Sequence, residues 1–111
     1  MLQKKYRTID EYKNAGAEMR IFNEISAKLV MDMSRVLSAS DSDILLRALR
    51  RIDRVRSRAE DNMFRDYPEL SNEYLSIFYG SLGGEPQNAI DEEVNDIARR
   101  IAGGLIEGKN D

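Results

Sequence analysis

The chain has 111 residues with neither cysteine nor histidine, which excludes disulfides, thiolate and imidazole nucleophiles or bases, imidazole metal ligands and the Ser-His-Asp triad. At 41% apolar and 33% charged, it fits one folded helical domain, 1–111, with a small core. No apolar run approaches the ~20 residues that cross a bilayer, and the basic MLQKKYRT leads into a charged segment, which predicts no secretory leader and a cytoplasmic protein.

Thr8-Ile9-Asp10-Glu11 has the form of a capping box and starts a first helix. From there Tyr12, Ala15, Met19, Phe22, Ser26, Leu29, Met33 and Val36 recur at alternating spacings of three and four, with Ile25, Val30 and Leu37 widening the stripe. A helix over 8–37 measures about 45 Å, against roughly 30 Å for a small domain. Such a stripe overhangs its own bundle, so a homodimer is expected through Met19, Phe22, Leu29 and Met33. The alternative is a kink near Gly16 or Ser26 that folds the helix back on its own chain.

The SASDSD stretch, 38–43, reads as a turn with Ser40 or Asp41 capping a second helix that runs to about Phe64. Ile44, Leu45, Ala48, Leu49, Ile52, Val55, Ala59 and Met63 share one side of it, and Arg47, Arg50, Arg51, Arg54 and Arg58 the other. Asp43 with Arg47 and Arg56 with Glu60 have the spacing of helical ion pairs.

Asp66-Tyr67-Pro68-Glu69 resembles a further helix start, followed by an inner face of Leu70, Tyr74, Ile77 and Phe78 and a stop at Gly83-Gly84. A last helix carries Ile90, Val94, Ile97, Ile101 and Leu105 as a narrow stripe and Asp91, Glu92, Glu93 and Asp96 on its outer side, with Gly103-Gly104 expected to fray or end it. Residues 1–7 and 108–111 are expected to be loose ends.

The segment Glu69-Leu70-Ser71-Asn72-Glu73-Tyr74-Leu75-Ser76-Ile77-Phe78-Tyr79 resembles part of the Hha-type small helical modulators of bacterial nucleoid proteins, and in both an arginine-rich helix precedes it. The resemblance covers about a tenth of the chain. The long first helix and acidic last helix depart from that family's layout, so no residue role is carried over.

The net charge of −3 hides a gradient. Residues 44–59 hold six arginines and one acid, while residues 66–111 hold ten acids and three bases. Five guanidiniums on one ridge suit a row of phosphates or of carboxylates, unless the acidic helices of the same chain neutralise them. Tyr and Phe do not alternate with them, which argues against base stacking. The glycines fit neither a phosphate loop nor a dinucleotide fingerprint, and Asp41-Ser42-Asp43 lacks the rest of a calcium loop.

The sequence thus predicts an all-α, compact bundle of four helices with a long first helix, dimeric, without catalytic residues, cofactor, metal or small-molecule substrate. Its expected function is that of a non-enzymatic protein-interaction, adaptor or regulatory module. Its partners would be itself and another protein, contacted through Arg47, Arg50, Arg51, Arg54 and Arg58. The alternative is a nucleic-acid-binding regulator that contacts phosphates through the same arginines.

Overall fold

The computed structural model describes residues 7–107. Among these the chain is all-α, with helix α1 at Ile9–Met33, helix α2 at Ala39–Asp66, a 3-10 turn at Asn72–Ser76 and helix α3 at Ala89–Glu107. The expected loose ends lie outside the described residues except for Arg7, which is tied to Asp66.

Thr8 caps α1, its Oγ1 accepting the Glu11 N–H at 3.2 Å, and the helix runs through Gly16 and Ser26 to Met33. The Ser26 hydroxyl donates to the Asn23 carbonyl. After the turn at residues 34–37, α2 is capped by Ser38, not by Ser40 or Asp41. Ser38 holds an extended backbone and its Oγ accepts the Asp41 N–H, while the two later residues are already helical.

Helices α1 and α2 form an antiparallel hairpin whose register is fixed at its base. The Asp66 carboxylate receives Arg7 Nε and Nη2 at 2.7 and 3.1 Å and the Tyr12 hydroxyl at 2.6 Å. Tyr67 donates its hydroxyl to the Arg7 carbonyl, and its ring meets Tyr12 edge-on at 6.3 Å. Upwards from there the shielded positions follow the alternating three-four spacing of a helical seam. On α1 they are Tyr12, Gly16, Met19, Asn23, Ser26, Val30 and Met33, continued by Leu37. On α2 they are Ser42, Leu45, Leu49, Ile52, Arg56, Ala59, Met63 and Asp66. Every one of them is buried or half-buried.

The expected four-helix bundle is corrected to three helices, because the segment after Pro68 does not form an α-helix. Asp66 is the last residue of α2, and its carboxylate is engaged by Arg7 and Tyr12 instead of capping a new helix. Further on, the Ser76 and Ile77 carbonyls accept hydrogen bonds from the Arg20 guanidinium at 2.6 and 3.0 Å. The segment closes as a single 3-10 turn whose Ile77 and Phe78 side chains drop into the core.

Helix α3 lies antiparallel to α1 at the base of the hairpin, with Lys13 Nζ 2.8 Å from Glu93 and Arg20 2.6 Å from Asp91. Tyr12, Ala17, Met63, Ile77, Phe78, Val94 and Ala98 form the buried core there. Gly16 allows the close approach: a Cβ on it would run into Ile77 Cγ2 and the Ile77 carbonyl. Of the fraying or end expected at Gly103-Gly104, the end is corrected, since α3 continues to Glu107. A glycine favours a helix end when it turns left-handed, and among the described residues the one glycine with positive φ is Gly84, in the loop before α3.

Candidate interaction surface

Above the core the hairpin continues as a bare two-helix arm. The residues just before alternate seam positions share one flank, because in an antiparallel pair such positions of both helices fall on the same side. On α1 they are Ala15, Phe22, Leu29 and Val36, and on α2 they are Asp41, Ala48, Val55 and Asn62. Ile25 and Ile44 extend this flank outwards. Ile25 is 59%, Val36 74%, Ile44 57% and Val55 59% exposed, whereas α3 covers the opposite side of α1 at Ala17 and Arg20. Ile44, Arg47, Ala48, Arg51 and Ile52 line a shallow groove of about 410 Å³ on this flank.

The expected dimer residues therefore separate. Met19 and Met33 are half-buried in the seam with α2, whereas Leu29 is exposed and Phe22 half-buried on the open flank. The apolar stripe read from the sequence mixes two faces. Tyr12, Met19, Ser26 and Met33 point to α2, and Ala15, Phe22, Leu29 and Val36 lie one position away from its other members.

Arg47, Arg50, Arg51, Arg54 and Arg58 are all exposed. Arg47 reaches Asp43 at 2.8 Å; none of the other four has an ion pair among the described residues, so the ridge is not neutralised by the acids of α3. Arg56 pairs with Asp53 rather than with Glu60. From its seam position it places its guanidinium 4.8 Å from the centre of the Tyr79 ring, while the Tyr79 hydroxyl donates to Ser57. Its stem packs while its head sits on an aromatic face.

The most buried polar cluster surrounds Arg20, which is 1% exposed. Its Nη1 lies 2.7 Å from Asn95 Oδ1 and 2.6 Å from Asp91 Oδ1, and its Nε and Nη2 take the two turn carbonyls. Asn88 caps α3, its Oδ1 accepting the Asp91 N–H at 2.8 Å, while Asp91 accepts the Gln87 N–H at 2.9 Å and so ties the preceding loop to the first turn. The expected solvated outer position of Asp91 is thereby corrected: the residue is buried. The inner face of α3 is Asp91, Val94, Asn95 and Ala98, a helical stripe that hydropathy alone hides because half of it is polar. The cluster joins α1, the turn and α3, and among the described residues the buried Asn95 Nδ2 has no hydrogen-bond partner.

The charged groups at the hairpin base are tuned by their neighbours. Hydrogen bonds from Arg7 and then Tyr12 hold the Asp66 carboxyl well below the usual carboxylate range. Burial and then Asp66 push the Tyr12 hydroxyl up to about 12. Burial pulls Lys13 down, but the Glu93 carboxylate outweighs it and leaves the ammonium raised. Burial, followed by Asp61, raises Glu60.

Among the described residues no group of three acids could hold a metal ion, and no helix is long and apolar enough to cross a membrane. In comparisons with protein families, curated proteins and solved structures, nothing matches the chain. The resemblance of residues 69–79 to the Hha-type modulators is therefore not supported by a family match.

Proposed function

We propose that this protein is a non-enzymatic interaction module that works as a helical homodimer and docks through the open flank of its hairpin arm. The supporting observation is the apolar row of Ile25, Leu29 and Val36 beside Ile44, Ala48 and Val55, all exposed among the described residues and continued by the half-buried Phe22. Apolar surface of this extent marks an interaction site. From Ala15 to the turn the flank is about 33 Å long and two helices, about 20 Å, wide. Those dimensions approach the ~800 Å² per partner of a standard interface.

Light scattering at tens of micromolar is expected to give twice the chain mass of 12.7 kDa. Phe22→Asp with Leu29→Asp is expected to give a helical monomer, since both side chains project from the arm and not into the core. A wild-type mass of one chain overturns the proposal.

The exposed arginines support a second reading, a regulator bound to nucleic acid, because Arg50, Arg51, Arg54 and Arg58 carry no ion pair among the described residues. In that case duplex DNA affinity falls with salt at a log-log slope of about −0.9 per phosphate neutralised, and each Arg→Ala change removes about one. Absence of salt-sensitive binding leaves the arginines to an acidic protein partner.

A further inference from the structure

We infer that the second copy docks in one orientation: α1 of each chain lies antiparallel against α2 of the other, the two-fold axis runs along the hairpin, and Glu18 faces Arg58 across both new seams. This rests on the homodimer reading and assigns its geometry.

The hairpin register carries the argument. With Asp66 and Tyr67 held against Arg7 and Tyr12, the contacting pairs have residue numbers that add to between 73 and 79, and residues whose numbers add to the middle of that range stand at one level of the hairpin. On the outer rim of the open flank α1 places Glu11, Glu18, Ile25 and Asp32. On the matching rim α2 places, level for level, Arg65, Arg58, Arg51 and Ile44. The first two levels oppose acid to base, and none of Glu11, Glu18, Arg58 or Arg65 has an ion pair among the described residues. Within one chain these residues stand on the outer sides of two different helices. A two-fold axis parallel to the hairpin keeps each level and lays α1 over the other chain's α2, bringing Glu11 to Arg65 and Glu18 to Arg58.

The other two-fold stacking of the same faces, with the axis across the hairpin, fails on charge. It lays α2 antiparallel over α2, setting the row of Arg51, Arg58 and Arg65 against the same row of the second copy, and α1 over α1, setting the acidic row of Glu11, Glu18 and Asp32 against its own counterpart. Like charges facing each other across a seam select against that arrangement.

The apolar levels agree with the first stacking. Leu29 comes to the level of Ala48, whose small side chain lies in the groove between Ile44 and Ile52. Phe22 comes to the level of Val55. A large residue entering the space above a small one is the knob-into-hole packing of an antiparallel bundle. The result is a four-helix bundle built from two hairpins, with the second chain's hairpin completing the layer that one chain leaves open.

Charge exchange and cross-linking test this. Glu18→Lys alone and Arg58→Glu alone should each weaken the homodimer by about tenfold or more, since symmetry introduces each repulsion twice. An equimolar mixture of the two variants should restore a dimer, of mixed composition, by native mass spectrometry. The chain has no cysteine, so Leu29→Cys and Ala48→Cys chains can be mixed and oxidised, with the disulfide between the two different variants expected to dominate. A dimer in which the Ala48→Cys chain links to its own copy instead, or one that ignores both charge reversals, overturns the orientation and leaves the homodimer reading intact. A monomeric wild type overturns both.

Discussion

At the base of the hairpin an arginine is buried, while at its tip leucine, valine and isoleucine are exposed. Both follow from where neighbours stand. Arg20 meets a carboxylate, an amide oxygen and two backbone carbonyls, so its desolvation is compensated. Among the described residues nothing covers Val36 and Ile44, because α3 and the 3-10 turn shield only the other side and the lower half of the hairpin. In this chain, hydrophobicity alone does not say which residues lie inside.

The sharpest way to break the contrast is to substitute one residue from each half. Arg20→Met leaves Asp91 charged, buried and without its cation, and should cost about 3–5 kcal/mol, read as a fall in the urea midpoint. Val36→Ser at the tip should stay within about 0.5 kcal/mol in dilute protein.

Two helical glycines provide a finer test. Gly16→Ala gains about 1 kcal/mol of helix propensity but drives a methyl group into Ile77, whose carbonyl is held by Arg20. Overpacking of this kind costs ~1–3 kcal/mol, so a net loss of about 1 kcal/mol in thermal or urea unfolding is expected. Gly103→Ala meets nothing within 4 Å and should instead gain about 1 kcal/mol.

A further test of the base comes from pH. The depressed Asp66 carboxyl stabilises the fold above its unfolded pKa of about 4, and that contribution is lost as pH falls from there through the folded value. Tyr12 behaves oppositely: its contribution is complete below about 10 and is lost as pH rises towards about 12. Asp66→Asn should flatten the acid limb of the stability profile while sparing its shape near neutrality.

Much of the helical layout is legible in the sequence. The Thr8 cap, the Asp43–Arg47 pair, the start of α1 and the span of α2 follow from local rules, whereas α1 ends at Met33, four residues short of the expected Leu37. The apolar pattern misplaces the seam by one position at every other step, because Ala15 and Phe22 are more apolar than the inward Gly16 and Asn23, while Leu29 and Val36 are no less apolar-looking than the inward Val30 and Leu37. Arg20, Asp91 and Asn95 are illegible because their value lies in one another, across 71 and 75 residues of chain. The third expected helix closes only as the 3-10 turn at Asn72–Ser76, and the carbonyls at its end bind a side chain of α1 that lies more than fifty residues away in sequence.

The span of the Arg20 cluster also has a kinetic consequence. The hairpin can zip outwards from its turn through contacts close in sequence, whereas the acceptors of Arg20 lie 56 to 75 residues further along, and reaching them requires closing large loops first. The guanidinium is therefore a late contact, formed after the two helices have paired. Interactions missing from the folding transition state govern how fast a protein comes apart more than how fast it assembles. Arg20 thus acts chiefly on the lifetime of the folded chain, holding the turn and α3 against a hairpin that has already formed.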